Sequence, residues 1–255
     1  KKLIISFLAI ISLYSCATKD EIYYMQDIDS QDNTKVNYVN SLIQPNDVLR
    51  IRVSALNPEA AEIYNMQSNQ ARGGNMGGGA GMMALTGYLV TPDYKISFPI
   101  LGKIPVKNMT TTELANDITK RLIDGGQLKD PTVDVRLVNA KFTIIGQASG
   151  AQTVSFSEQN ITLIQALGLA GGLEINTIRK DVVIMREEEG IRQIANIDLT
   201  ETDWMNSPYY YVKPNDVILV KPNNPGVKRA GFVTNPSSLI GIATSLLSLG
   251  FIIFR

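Results

Sequence analysis

Histidine is absent from this 255-residue chain, and cysteine occurs once. Within one chain, these scarcities exclude zinc sites built from histidine and cysteine, Ser-His-Asp or Cys-His catalysis and any intrachain disulfide. An excess of one charge is lacking too. The 24 Lys and Arg residues balance 24 Asp and Glu residues, so the basic surplus of a nucleic-acid-binding protein is missing. Carboxylate chemistry stays open, but Asp and Glu are scattered and no pair is singled out by context as a glycosidase dyad. Apolar residues make up 44% of the chain, enough for hydrophobic cores, and the length allows one large domain or two small ones.

The two ends are the most apolar stretches. Lys1 and Lys2 precede the run Leu3 to Leu13, which has the length of a signal-peptide h-region. A bilayer-spanning helix needs about 20 such residues. The run closes on Leu13-Tyr14-Ser15-Cys16, which resembles a bacterial lipobox. Residues 1–15 are therefore expected to be a lipoprotein signal peptide and Cys16 the lipidated residue, with 16–41 as a polar tether. Two acyl chains give stable anchoring, since each buried methylene contributes roughly 0.8 kcal/mol. Ala17 follows the cysteine, so inner-membrane retention is not signalled; Lys19-Asp20-Glu21 reads as a sorting tag or as solvated tether.

At the other end, residues 237–255 follow Asn235-Pro236 and are expected to form an amphipathic transmembrane helix after a linker at 225–236. On a 3.6-residue period, Ser237, Ser238, Gly241, Thr244, Ser245 and Ser248 share one arc of roughly 120°. That stripe suits close helix packing or a water-filled lumen. A dry dimer seam and a lone anchor with a chance stripe are the alternatives.

The middle reads as α+β. Gln44-Pro45-Asn46-Asp47 is a turn signal leading into a strand in which Leu49, Ile51 and Val53 alternate with polar residues. Residues 57–86 form a Gly-rich insert; it lacks the Gly-Lys-Ser/Thr ending of a phosphate loop. Tyr88-Leu89-Val90 and 95–106 read as short strands interrupted by prolines. Thr110-x-x-Glu113 is a capping box before a Leu114, Ile118, Leu122 stripe that Gly125 ends, and 132–137 is a half-buried strand. Beyond Ala140, strands are expected at 142–146, 181–186 and 192–199, with a helix capped by Asn160 running through Ala170. Lys213-Pro214-Asn215-Asp216 repeats the first turn and enters Val217-Ile218-Leu219-Val220; the flanking sequence does not repeat, so the echo reads as shared turn chemistry.

In this order the segments resemble the Wza-type polysaccharide export family. The export domain is marked by 44–49, Tyr88-Leu89-Val90, Ile96-Ser97-Phe98-Pro99, Leu101-Gly102-Lys103-Ile104, the 110–122 helix and Pro131-Thr132-Val133-Asp134-Val135. A second part is similar to the soluble-ligand-binding β-grasp module, through Ile145-Gly146-Gln147, 162–172, Val183-Ile184-Met185-Arg186 and Asn215-Asp216-Val217-Ile218. Asp93-Tyr94 departs from the Asp-Gly usual in the family, and one β-grasp module is present where the type member has two.

The resemblance implies two small mixed domains, an export domain at 42–139 and a β-grasp domain at 140–224, followed by the terminal helix. It also implies a non-enzymatic subunit of a homo-oligomeric outer-membrane ring, with the bulk of the chain in the periplasm. That ring would export a capsular or exopolysaccharide chain, need no cofactor, and meet an inner-membrane polysaccharide co-polymerase of tyrosine-kinase character. The competing reading is a periplasmic carbohydrate-binding lipoprotein without a pore, using Trp204, Tyr209, Tyr210 and Tyr211 to stack on sugars. Because Tyr209 and Tyr211 fall where a strand is expected before the Pro214 turn, packing is the better account of those rings.

Overall fold

The computed structural model describes residues 22–36, 38, 40–65, 87–147, 150–223 and the single positions 227, 241 and 244. Its elements are arranged around two separate apolar clusters, one drawn from residues 43–135 and one from 142–220.

The first cluster forms where alternation and helical periodicity converge. In β1 (Val48–Ser54), Leu49, Ile51 and Val53 turn inward while Arg50 and Arg52 turn out, as a pleated strand demands. β1 lies between β2 (Tyr88–Leu89) and β5 (Thr132–Leu137), antiparallel to both, with Leu49 opposite Tyr88 and Ile51 opposite Val135. A short helix, α1 (Pro58–Glu62), follows β1; the Asn57 side chain accepts the Glu59 amide and Pro58 starts the turn. β3 (Lys95–Phe98) and β4 (Gly102–Pro105) make a hairpin. α2 (Thr111–Asp124) opens with the reciprocal Thr110–Glu113 capping box and packs on β5. Its four-residue stripe Leu114, Ile118 and Leu122 is wholly buried. Each such side chain contributes roughly 1.5–3 kcal/mol by leaving water.

At Asp93-Tyr94 the departure from the family pattern leaves the turn intact. Tyr94 adopts the left-handed conformation usual for glycine (φ 55°). The Thr91 hydroxyl and the Thr91 amide both donate to the Lys95 carbonyl, at 2.8 and 2.9 Å, and hold the turn closed.

The second cluster is covered by a five-stranded sheet in the order β10-β9-β12-β6-β7. These strands are β6 (Lys141–Gln147), β7 (Gly150–Ser155), β9 (Thr177–Glu188), β10 (Ile191–Ile197) and β12 (Val217–Pro222). β12 runs parallel to β6 and every other neighbour is antiparallel. A side ladder joins β8 (Ile161–Thr162) to β11 (Tyr211–Val212). α3 (Leu163–Leu169) buries Leu163, Ala166 and Leu167. Its cap is Thr162, not Asn160: Thr162 and Gln165 form a second capping box, and Ile161 and Thr162 are held as strand by β11.

The α+β architecture expected from the sequence is present; its terminal membrane-spanning helix is corrected. Among the described residues, no helix is long and apolar enough to cross a membrane. A crossing needs about 20 continuous helical residues. Of 237–255, only Gly241 and Thr244 are described, both helical.

Residues 24–27 lie along the second cluster, where the Met25 amide donates to the Leu199 carbonyl at 3.0 Å and the Gln26 amide to the Thr200 carbonyl at 2.7 Å. Thr202 Oγ1 donates to Asp27 Oδ2 at 2.6 Å, and the Tyr24 ring lies 5.0 Å from the guanidinium carbon of Arg179.

Candidate functional site

The two Pro-Asn-Asp-Val segments fold into the same device. Proline presets φ at the second turn position, and asparagine tolerates the left-handed third; Asn46 and Asn215 have φ of 70° and 68°. The aspartate that follows folds its carboxylate back. Asp47 Oδ2 accepts the Gln44 amide, and Asp216 Oδ2 accepts the Lys213 amide, both at 2.8 Å. Both turns are stitched to a neighbouring segment in the same way. The Asn46 amide donates to the Val90 carbonyl at 2.9 Å and the Asn215 amide to the Lys141 carbonyl at 2.7 Å. The aspartate carbonyls receive Val90 N–H at 2.8 Å and Thr143 N–H at 2.9 Å.

The two aspartates differ in what faces the carboxylate. Asp216 meets Arg186, whose Nε donates to Oδ1 at 3.0 Å and Nη2 to Oδ2 at 2.7 Å. The side chains are 4% and 1% exposed. Arg186 also donates to the Pro208 carbonyl at 3.0 Å and the Tyr211 carbonyl at 2.8 Å, and lies over the Tyr209 ring at 4.9 Å. Asp47 is equally buried, 4% exposed, yet forms no ion pair with any described residue. Burial pushes its carboxyl up to about 6, against the opposing pull of the Gln44 amide.

Asp47 lines a cleft of about 420 Å³ where the two bodies meet, bordered by Thr111, Asp134, Arg136, Glu158, Gln159 and Pro214 among others. Both turns thus edge one cleft, Asp47 from the first and Pro214 from the second. The junction is held by Asn139, whose Oδ1 accepts the Val48 amide at 2.8 Å and whose Nδ2 donates to the Asn46 carbonyl at 2.9 Å. Arg136 pairs with Asp134 at 3.0 Å, both more than half exposed.

The aromatic residues named from the sequence are engaged in packing. Trp204 is buried, and Tyr209 and Tyr210 pack against the second cluster. Tyr211 stacks on Tyr38 at 6.2 Å and meets Tyr210 edge-on at 4.8 Å. Cys16, Ser237, Ser238, Ser245 and Ser248 lie outside the described residues. Gly241 and Thr244 are exposed, with Thr244 Oγ1 donating to the Gly241 carbonyl at 3.0 Å.

Sequence reading missed Arg186 and the burial of both aspartates. A signal existed: Val182, Ile184 and Arg186 share the inward face of β9, and an inward arginine needs compensating acceptors, for which a buried carboxylate is the strongest candidate.

The profile of the family described as "Polysaccharide biosynthesis/export protein" matches residues 36–138. The chain is also similar to the EPS I polysaccharide export outer membrane protein EpsA of Ralstonia solanacearum, 26% identical over 166 residues, which is 63% of this chain and 43% of that protein. The protein of the same name from Ralstonia nicotianae is 30% identical over 116 residues, 44% of this chain and 29% of that protein. The chain thus spans less than half the length of the curated relatives it matches. The first cluster, the Pro45 turn and the α2 stripe all fall in the span, residues 36–138, that matches the polysaccharide biosynthesis/export protein family.

Proposed function

We propose that this chain is a non-catalytic subunit of an outer-membrane polysaccharide export assembly. The observation that carries the reading is the family match over 36–138, together with two relatives named as outer-membrane export proteins. The finer picture is a lipoprotein anchored through Cys16, its bulk in the periplasm, closed into a homo-oligomeric ring. Such a ring follows from repeated head-to-tail contacts between identical subunits. It passes a capsular or exopolysaccharide chain to the surface and meets an inner-membrane co-polymerase of tyrosine-kinase character. A conduit gains nothing from tight binding, because a deep affinity well holds the polymer; the packed faces of Tyr209 and Tyr210 accord with that.

The test is loss of the gene with complementation. Surface polymer should disappear while its synthesis machinery stays intact, and detergent-extracted particles should show rings in electron micrographs. Normal surface display in the deletion strain would overturn export. Monomeric particles would overturn the ring, and a Cys16→Ser chain that still incorporates labelled fatty acid would overturn the anchor.

A further inference from the structure

We propose that the cleft between the two bodies is a binding site for a guanidinium or primary ammonium group, received by Asp47. The inference goes beyond the export reading and does not depend on it.

The molecule supplies its own comparison. At Asp216 the same turn, with the same backbone stitching, places a buried carboxylate against a guanidinium in two-point contact, Nε to Oδ1 at 3.0 Å and Nη2 to Oδ2 at 2.7 Å. At Asp47 that partner is missing. Oδ2 is held by the Gln44 amide at 2.8 Å, and no described residue donates to Oδ1. Asp47 is 4% exposed and lines an open cleft of about 420 Å³, within the range typical of small-ligand sites. A buried carboxylate left without a cation is costly, and a cation delivered from the cleft would remove that cost.

The cleft's other charged groups favour the same sign of ligand. Asp134 and Arg136 come from β5 and neutralise each other as a pair. Glu158, on the segment after β7, adds a second net negative charge to that of Asp47. Thr111 and Gln159 offer neutral polar atoms at the rim. A guanidinium can donate to Oδ1 and to the second lone pair of Oδ2, as Arg186 does on Asp216, and an ammonium can donate to Oδ1.

The probes are methylguanidinium and glucosamine as its hydrochloride, with methylurea and glucose as uncharged counterparts of similar shape. Each is titrated at constant ionic strength into the isotope-labelled full chain and followed by amide chemical shifts. The cations should shift Gln44, Asp47 and Val48 saturably; the uncharged counterparts should not. If only glucosamine acts, the ligand is an amino sugar; if only methylguanidinium acts, it is an arginine-like group. Asp47→Asn keeps an acceptor for the Gln44 amide and removes the charge, and should weaken binding about tenfold or more. Glu187→Gln, at an exposed pair away from the cleft, should change it by no more than about threefold. Absence of a saturable shift with either cation overturns the proposal. So does equal binding by folded Asp47→Asn, or equal binding of the uncharged probes.

Discussion

Arg186 grips Asp216 through two parallel hydrogen bonds, Nε to Oδ1 at 3.0 Å and Nη2 to Oδ2 at 2.7 Å, inside the second cluster. The pair ties three segments together, since Arg186 also reaches the carbonyls of Pro208 and Tyr211. Forming such a pair gains little over apolar packing, but breaking it strands a charge. Arg186→Met leaves Asp216 buried and unpaired, and should cost about 3–5 kcal/mol. The double variant Arg186→Met, Asp216→Asn should recover part of that loss. Denaturant unfolding of the parent, both single variants (Arg186→Met and Asp216→Asn) and the double variant checks it; a double variant as unstable as the sum of both single changes would contradict the account.

Asp47 makes stability depend on pH in the opposite sense to most carboxylates. Its folded value, about 6, lies above the ordinary 3.8. The folded state therefore holds the proton more tightly. The resulting stabilisation is fully present below pH 3.8, and is lost as pH rises through about 6. Two units amount to about 3 kcal/mol. Asp93 and Glu113 are shifted downward and act the other way, so the informative quantity is a difference. The stability of Asp47→Asn relative to the parent chain should rise between pH 4 and pH 7 by up to about 3 kcal/mol. A pH-independent difference would show that Asp47 titrates normally.

Much of this molecule was legible where one local rule sufficed. The Thr110–Glu113 box and the Leu114, Ile118, Leu122 stripe are local chemistry, and both form as read. Asn160 failed as a cap because β11 claims residues 161 and 162, a tertiary pairing that no local window contains. Arg186 and Asp216 lie 30 positions apart, so nothing local joins them. The docking of residues 24–27 was illegible for the same reason: the polar composition around them suits solvent, while the Met25 and Gln26 amides find Leu199 and Thr200.

Tyr24 covers a buried cation. Arg179 is 4% exposed and its Nε has no partner; its other nitrogens reach only the carbonyls of Thr177, Leu173 and Glu174, at 3.3–3.4 Å. The ring 5.0 Å away supplies what the carbonyls do not. Tyr24→Ala should cost about 1–2 kcal/mol and speed hydrogen exchange at the Met25 and Gln26 amides. Tyr24→Phe keeps the ring face and should preserve both. Unchanged exchange in the alanine variant would mean the segment is held without this contact.

Gly146 gives the Ile145-Gly146-Gln147 motif a physical reason. The residue has φ of 95° and sits in the irregularity between Ile144 and Gln147, where the β6–β7 register shifts. A Cβ built there would overlap the Val220 carbonyl oxygen, which belongs to the rigid backbone of β12. Both strain and overlap therefore act on the one parallel pairing in the sheet, β6 with β12, at its centre. The left-handed conformation alone costs an alanine about 1–3 kcal/mol, and the overlap adds to it because close-packed backbone cannot yield. Gly146→Ala should lower stability by more than about 3 kcal/mol. Gly126 is the control: it also has positive φ (63°), but a Cβ there meets nothing within 4 Å. Gly126→Ala should therefore lose only the conformational part. Thermal or denaturant unfolding of the two variants separates strain from overlap, and equal losses would remove the close approach to Val220 as the reason for glycine at 146.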